Sequence, residues 1–409
     1  MKAYIASRLK IPVITLKSDS RSGSATLGLI DWPLLCALAA IALLGIVMVL
    51  SASMPFAEKN YNDPFYFTLR QLIMLTAGVY LALYIARTPV DQWERWGPLL
   101  LVFAILLLIL VLIPGIGREV NGSRRWLNFG FVTVQVSEAV KLFIIVYLAG
   151  YLVRRSEKVK KDFGAFLRPL VLICMVGALL MLEPDFGATV VIVVTSMGML
   201  FVGGVRFTQF LALISSFLLV GVLAIYMSPY RMRRFTSFLD PWADPFNDGF
   251  QLSQSLIAIG SGSWKGAGLG NSVQKLFYLP ESHTDFVFAV FAEETGLFGV
   301  TLLVSLFAFV VWRCFRIAAR AESVGNQFAG YVALGIGIWI GLQAFINIGV
   351  NMGMLPTKGI TLPLVSYGGS SVIITCVAFA LLCRIEFETR RLMASQLRRR
   401  QSQAAGEML

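Results

Sequence analysis

Leu99-Leu100-Leu101-Val102-Phe103-Ala104-Ile105-Leu106-Leu107-Leu108-Ile109-Leu110-Val111-Leu112 is an unbroken apolar run within a stretch, 97–114, that carries no charged residue. A helix of about 20 mostly apolar residues crosses a bilayer, so this stretch reads as one such span. Working outward from it, nine more appear, at 32–53, 71–87, 134–153, 168–183, 187–204, 207–228, 285–312, 327–350 and 368–385. The eighth in chain order, 285–312, is over-long and interrupted by Glu293, Glu294 and Gly296; its first turns are expected at the membrane surface, with 296–312 completing the crossing. The expected fold is all-α: a polytopic domain of ten transmembrane helices over 32–385, flanked by basic tails at 1–31 and 386–409.

Composition agrees. The 409 residues are 57% hydrophobic and 14% charged, whereas soluble domains have about a quarter of their residues charged. The net charge of +12 does not point to nucleic acid, because the cations fall mainly in short loops between apolar runs. With the N-terminus inside, 23 Lys and Arg lie in inner segments and 10 in outer loops, while Arg70 and Lys141 fall at or within spans. That bias puts both termini in the cytoplasm. Lys158, Lys160 and Lys161, and Arg398 to Arg400, then serve orientation and contact with anionic headgroups. The five cysteines lie in or beside apolar runs without metal-ligand spacing, which argues against disulfides and a zinc site. The basic segment 1–30 lacks a signal-peptide pattern, so the first run is expected to be a retained span.

The longest polar stretch between spans is the outer loop 229–284, between the seventh and eighth. It opens with Arg231, Arg233 and Arg234, turns through Asp240-Pro241-Trp242-Ala243-Asp244-Pro245, and passes a glycine-rich run, Gly260 to Gly270, containing Trp264 and Lys265. Loops of this length are usually functional or disordered, and the interspersed Pro, Trp and apolar residues oppose disorder. The glycine run is no Walker loop, since Gly266 follows Lys265 and no strand precedes it, although its amides could cradle an anion. Three arginines outside the membrane suit a pyrophosphate.

Asp285 closes the loop and begins the apolar run Phe286-Val287-Phe288-Ala289-Val290-Phe291. Desolvation where water gives way to hydrocarbon raises a carboxylate's pKa, as a general base near neutrality requires. A helix cap, shared with Thr284, is the competing reading. His283 is the only histidine, which excludes a multi-histidine metal site and suits a structural or substrate hydrogen-bonding role. Glu138 and Lys141, three apart early in the fourth span, share a helix face; they either pair internally or line a polar cavity. Glu293 and Glu294 suit packing or helix-end roles. Arg124 and Arg125, beside Trp126, either anchor the interface or bind a lipid-linked phosphate.

Six motifs carry a resemblance. They are Gly122-Ser123-Arg124-Arg125-Trp126, Ser137-Glu138-Ala139-Val140-Lys141, Glu183-Pro184-Asp185-Phe186-Gly187, Phe238-Leu239-Asp240-Pro241-Trp242-Ala243-Asp244-Pro245, Leu279-Pro280-Glu281-Ser282-His283-Thr284-Asp285-Phe286 and Leu364-Val365-Ser366-Tyr367-Gly368-Gly369-Ser370-Ser371. From about residue 30 to 385 the chain resembles the SEDS family (shape, elongation, division and sporulation). Leu269-Gly270-Asn271-Ser272-Val273-Gln274-Lys275, Leu355-Pro356-Thr357-Lys358-Gly359 and the basic N-terminal tail resemble its division branch more than its elongation branch. The departures are small: Ala139-Val140 replaces the usual Phe-Ala, and Ser282 stands where Ala or Arg is frequent.

The resemblance implies a peptidoglycan glycosyltransferase that polymerises lipid II into glycan strands in septal wall synthesis, in the cytoplasmic (inner) membrane at the division septum. It places the family's essential aspartate on Asp285 and its buried Glu and Lys on Glu138 and Lys141. Arg124, Arg125, Arg231, Arg233, Arg234, Lys265, His283 and Lys358 complete the expected substrate and pyrophosphate set. The expected partners are lipid II, the growing glycan chain, a class B penicillin-binding transpeptidase and other division proteins. No cofactor is demanded, and a divalent cation, Mn2+ or Mg2+, is left open. The competing readings are a lipid II flippase and a non-catalytic division scaffold.

Overall fold

The computed structural model describes residues 29–120, 123–128, 130, 133–356 and 359–406. Within them run α1 (Trp32–Tyr61), α2 (Tyr66–Ile85), α3 (Val90–Leu112), β1 (Gly117–Val120), β2 (Ser123–Asn128), β3 (Thr133–Gln135), α4 (Val136–Lys161), α5 (Phe163–Leu182) and α6 (Phe186–Val202). Then follow α7 (Phe207–Tyr226), α8 (Pro229–Leu239), α9 (Phe250–Gly262), α10 (Val287–Ser323), α11 (Gln327–Asn351) and α12 (Gly369–Gly406). Helices stand at all ten expected positions. Eight are long and apolar enough to cross a membrane, while Phe186–Val202 and Phe207–Leu223 are apolar but shorter.

Three features were not expected. Residues 117–120, 123–128 and 133–135 form a small antiparallel sheet, ordered β1-β2-β3, among helices. The stretch 229–284 is partly helical, through α8 and α9. The last helix, α12, runs on past residue 385 to Gly406.

Local chemistry sets the helix starts. Asp31 accepts from the Leu34 amide at 3.3 Å at the head of α1, where Pro33 occupies the first turn. Asp185 accepts from the Ala188 amide at 3.2 Å for α6, and Asn326 from the Ala329 amide at 3.0 Å for α11. Each cap satisfies an amide that the helix itself cannot. α10 breaks at Gly296, with φ 65° and ψ −165°, a backbone that L side chains resist.

The break is where the glycine-rich run docks. A Cβ on Gly266 would lie 2.2 Å from the Glu294 carbonyl oxygen, and one on Gly296 2.4 Å from the Gly266 nitrogen. The amides of Ala267 and Gly268 donate to the carbonyls of Glu293 and Glu294 at 2.9 and 3.0 Å, and Leu297 donates to the Ser263 carbonyl at 3.0 Å. Those amides serve the helix break.

α4 is the central helix, packed on α3, α5, α6, α11 and α12, with Leu142, Ile145, Val146, Leu148 and Leu152 in the core. α2, α3 and α7 instead leave Tyr80, Leu99, Leu106, Leu219 and Val222 exposed, a lipid-facing surface. Alternating helix direction gathers the described residues of 62–65, 113–135, 183–185, 227–286 and 352–368 at one loop-rich end. At the opposite end Arg313 pairs with Asp31, and Glu386 pairs with Arg320 and, at 2.6 Å, with Arg390, tying α1, α10 and α12 together.

Candidate functional site

Asp285 lies in the turn just before α10. That helix is capped at Phe286 with no side-chain cap bond, so the capping reading of Asp285 does not hold. Its backbone carbonyl accepts from two amides of α11, Asn347 Nδ2 at 2.9 Å and Asn351 Nδ2 at 3.0 Å. Asn351 also accepts from the Ala289 amide at 3.1 Å, fixing the first turn of α10. Asn347 further donates to the Ile360 carbonyl at 2.6 Å, so one buried side chain joins the Asp285 turn to the 359–368 segment. Among the described residues the Asp285 carboxylate itself, half-buried, has no hydrogen-bond or ion-pair partner.

Its electrostatic surroundings are mixed. Burial pushes the Asp285 pKa up to about 7; the Glu281 and Asp185 charges add to the rise, and Arg125 and Arg234 oppose it. Arg125, on β2, stands 3.9 Å from Asp185 and donates to Ser123 at 2.9 Å. Its Nε is buried with no partner among the described residues. His283, two residues before Asp285, is kept below the usual histidine pKa by burial, with Glu281 opposing.

Beneath this turn Lys141 Nζ contacts Glu138 and Gln343 Oε1, each at 2.8 Å. Trp339 Nε1 also donates to Gln343 at 2.8 Å, and Gln343 Nε2 donates to the Thr361 carbonyl at 2.9 Å. The two readings of Glu138 and Lys141 are therefore both realised. They form a buried pair, and together with Gln135, Asp185, Gly359 and Thr361 they line a polar cavity of about 30 Å³. The second oxygen of Glu138 is unpartnered among the described residues. A Cβ on Gly359 would lie 3.0 Å from Asp285 Oδ2, so the cavity wall abuts the Asp285 carboxylate.

The Glu183-Pro184-Asp185 turn closes the other side. Asp185 accepts from Ser137 at 2.9 Å and Gln135 at 3.2 Å. Glu183 is fully buried, both oxygens lack partners among the described residues, and burial with the Asp185 charge pushes its pKa up to about 8 against the pull of Arg125.

Not every expected residue converges. The charges of Arg125 and Arg234 act on Asp285, but Arg124 is half-exposed and bonds Glu119 across the hairpin at 2.9 Å, because alternation along β2 turns neighbouring side chains to opposite faces. Arg233 is exposed on α8. Lys265 is exposed beside the α10 break, where the docked glycine backbone holds it outward. The Arg231 side chain and Lys358 lie outside the described residues. Asn347, Asn351 and Gln343 were missed; three amide side chains within an apolar span were the available signal, since polar groups at membrane depth are costly without a role. Glu293 and Glu294 do pack: Glu293 accepts from the Val273 amide at 2.9 Å, and Glu294 pairs with buried Lys275 at 2.8 Å. Among the described residues no three His, Cys, Asp or Glu come together as a metal site.

Residues 32–391 match the profile of the FtsW/RodA/SpoVE family, described as cell cycle protein. A probable peptidoglycan glycosyltransferase FtsW of Nitrosococcus halophilus is 55% identical over 355 residues, covering 86% of this chain and 91% of that one. Its counterpart in Thioalkalivibrio sulfidiphilus is 52% identical over 360 residues, covering 88% and 90%. Among solved structures, a chain of a peptidoglycan synthase complex that coordinates polymerization and crosslinking superimposes with a TM-score of 0.72 at 29% identity, covering 88% of this chain and 98% of that one. Thermus thermophilus rod shape determining protein RodA superimposes at 0.64 with 29% identity, covering 87% and 96%.

Proposed function

The chain belongs to the FtsW/RodA/SpoVE family of cell cycle proteins, and from that premise we propose that it polymerises lipid II with Asp285 as general base. It is a peptidoglycan glycosyltransferase, as its relatives at 52% and 55% identity are named. The observation that carries the base assignment is a half-buried carboxylate with no partner among the described residues, its pKa pushed to about 7, standing over a polar cavity. Near neutral pH such a group is partly ionised and still basic enough to take a proton.

In the reaction, Asp285 takes the proton from the GlcNAc 4-hydroxyl of the acceptor as that oxygen bonds to C1 of the donor's MurNAc. The C1–oxygen bond to undecaprenyl pyrophosphate breaks with its electron pair, so the negative charge leaves on the pyrophosphate. Arg125, whose Nε has no partner among the described residues, and Arg234, whose charge with that of Arg125 acts on Asp285, are the cations to stabilise that charge. The Asn347 and Asn351 bonds hold the base in place, and the Glu138–Lys141 pair shapes the cavity beneath it. No step is routed through a metal.

The loop-rich end faces outward and both termini lie in the cytoplasm, since 23 of the chain's Lys and Arg lie on the opposite side. The membrane is the cytoplasmic one, at the division septum. A class B penicillin-binding transpeptidase is the expected partner, consistent with the likeness to a chain of a synthase complex. A flippase needs a polar path through the bilayer, whereas below Lys141 the lining becomes Ile144, Ile145, Val191, Ile192 and Trp339, with only Thr195 and Ser196 polar.

The test is glycan-strand formation from purified lipid II, with and without the transpeptidase and Mn2+ or Mg2+. Asp285→Asn is expected to fold and bind substrate yet make no polymer; full polymerisation by that variant would falsify the base assignment. Translocation in sealed vesicles without polymerisation would favour the flippase.

A further inference from the structure

Where α1 meets α2, aromatic rings form a connected series from the surface to the Asp285 turn. Tyr61 and Tyr66 stack at 3.9 Å, and Tyr66 meets Phe67 edge-on at 5.2 Å. Phe67 stands 4.7 Å from His283 and 5.1 Å from Tyr367, and Phe56 lies 5.6 Å from His283, centroid to centroid. The Tyr367 amide donates to the His283 carbonyl at 2.9 Å, so the corner, the 367 segment and the Asp285 turn are one packed unit. Two cations sit on rings here: Arg70 4.6 Å from the Tyr66 centroid and Lys59 4.4 Å from that of Phe277, a ring outside the series. Arg70 also bonds the Tyr367 side chain.

We propose that this series is a saccharide platform that holds sugar units of the glycan strand beside Asp285, an inference that rests on the transferase reading above. Pyranose rings offer flat C–H faces to aromatic side chains and hydroxyls to polar neighbours, and tyrosine supplies both an apolar face and a polar tip. Tyr61 and Phe56 are 48% and 39% exposed, while Phe67 and His283 are buried, so the series is open to the surface and anchored beside the Asp285 turn. Aromatic rings at a membrane surface commonly meet lipid headgroups in a belt. A belt does not explain rings that run inward to within two residues of the base. Nor does it explain Arg70 and Lys59, whose charges match the carboxylates of peptide stems, or the free lactyl carboxylates of units without stems. The site therefore takes an acidic, amino-sugar polymer.

The full-length protein tests this. In the Asp285→Asn background, where no turnover occurs, a soluble peptide-free tetrasaccharide of alternating GlcNAc and MurNAc is titrated against chains with and without Tyr61→Ala plus Tyr66→Ala. The double change is expected to weaken binding at least about fivefold, and Tyr66→Phe to keep it, since the ring face supplies the attraction. With Asp285 intact, the same double change is expected to shorten the glycan strands. Tetrasaccharide affinity and strand length both within about twofold of the parent, with lowered thermal stability, would make these rings interface anchors and overturn the proposal. Loss of a co-purifying protein with unchanged tetrasaccharide affinity would overturn it in favour of a protein-docking surface. The titration stands apart from catalysis, so an inactive parent chain would sink the transferase reading while the platform was still decided by binding.

Discussion

Asn347 Nδ2 donates to the backbone carbonyl of Asp285 at 2.9 Å and to that of Ile360 at 2.6 Å, so a buried amide in α11 sets both the proposed base and the wall of the cavity beside it. A misplacement of about 1 Å can cost roughly a hundredfold in rate. Asn347→Leu is therefore expected to lower the polymerisation rate by about that factor, mainly in kcat. Initial rates over a range of lipid II concentrations check this; an unchanged kcat would mean that Asp285 is held by other contacts.

The charges around Asp285 give signed pH predictions. With its pKa near 7, polymerisation rises with pH as the carboxylate ionises. Glu281→Gln removes a like charge and should move the midpoint of the rise to lower pH; Arg125→Ala removes a cation and should move it higher. A carboxylate whose folded pKa exceeds its ordinary 3.8 favours folding when protonated, and that contribution is lost as pH rises through the folded value. Asp285→Asn should therefore gain stability over the parent chain, and the gain should widen between pH 5 and pH 8. pH–rate profiles and thermal unfolding in detergent measure these effects.

How far the sequence reaches is clear from particular residues. Period and length sufficed for the helices, because each must satisfy its own backbone in lipid, and Gly296 with Glu293 and Glu294 marked the break in α10. Asp285 was conspicuous as a charge at the head of an apolar run. The Arg124–Arg125 pair was legible as a basic spot but not as two residues with different duties. That difference comes from a β-hairpin, three short strands in a loop too brief for periodicity to show. Asn347 and Asn351 act through partners 62 and 66 residues away, a distance at which local pattern carries no information.

Glu138 and Lys141 allow structure to be separated from chemistry. Removing one member of a buried pair strands the other charge, at a cost of about 3–5 kcal/mol. Lys141→Met is thus expected to lower thermal stability sharply, and Glu138→Gln with Lys141→Met together to recover most of it. Polymerisation should stay low in the double variant, because the cavity beneath Asp285 loses its charged wall. Recovery of both stability and rate would assign the pair to packing alone.

Two lysines ten residues apart in the glycine-rich region make the last contrast. Lys265 follows the arginine-rich segment and looked suited to phosphate, yet it is exposed while the amides around it are bonded to α10. Lys275 is buried and holds Glu294 at 2.8 Å, Ser51 at 2.9 Å and the Gly270 carbonyl at 2.7 Å, joining α1, the loop and α10 below the Asp285 turn. Lys265→Ala should therefore change stability by no more than about 0.5 kcal/mol. Lys275→Ala leaves Glu294 charged and buried, and is expected to cost about 3–5 kcal/mol. Detergent unfolding curves of the two variants decide this. Equal curves, or a polymerisation defect confined to Lys265→Ala, would return Lys265 to the substrate set.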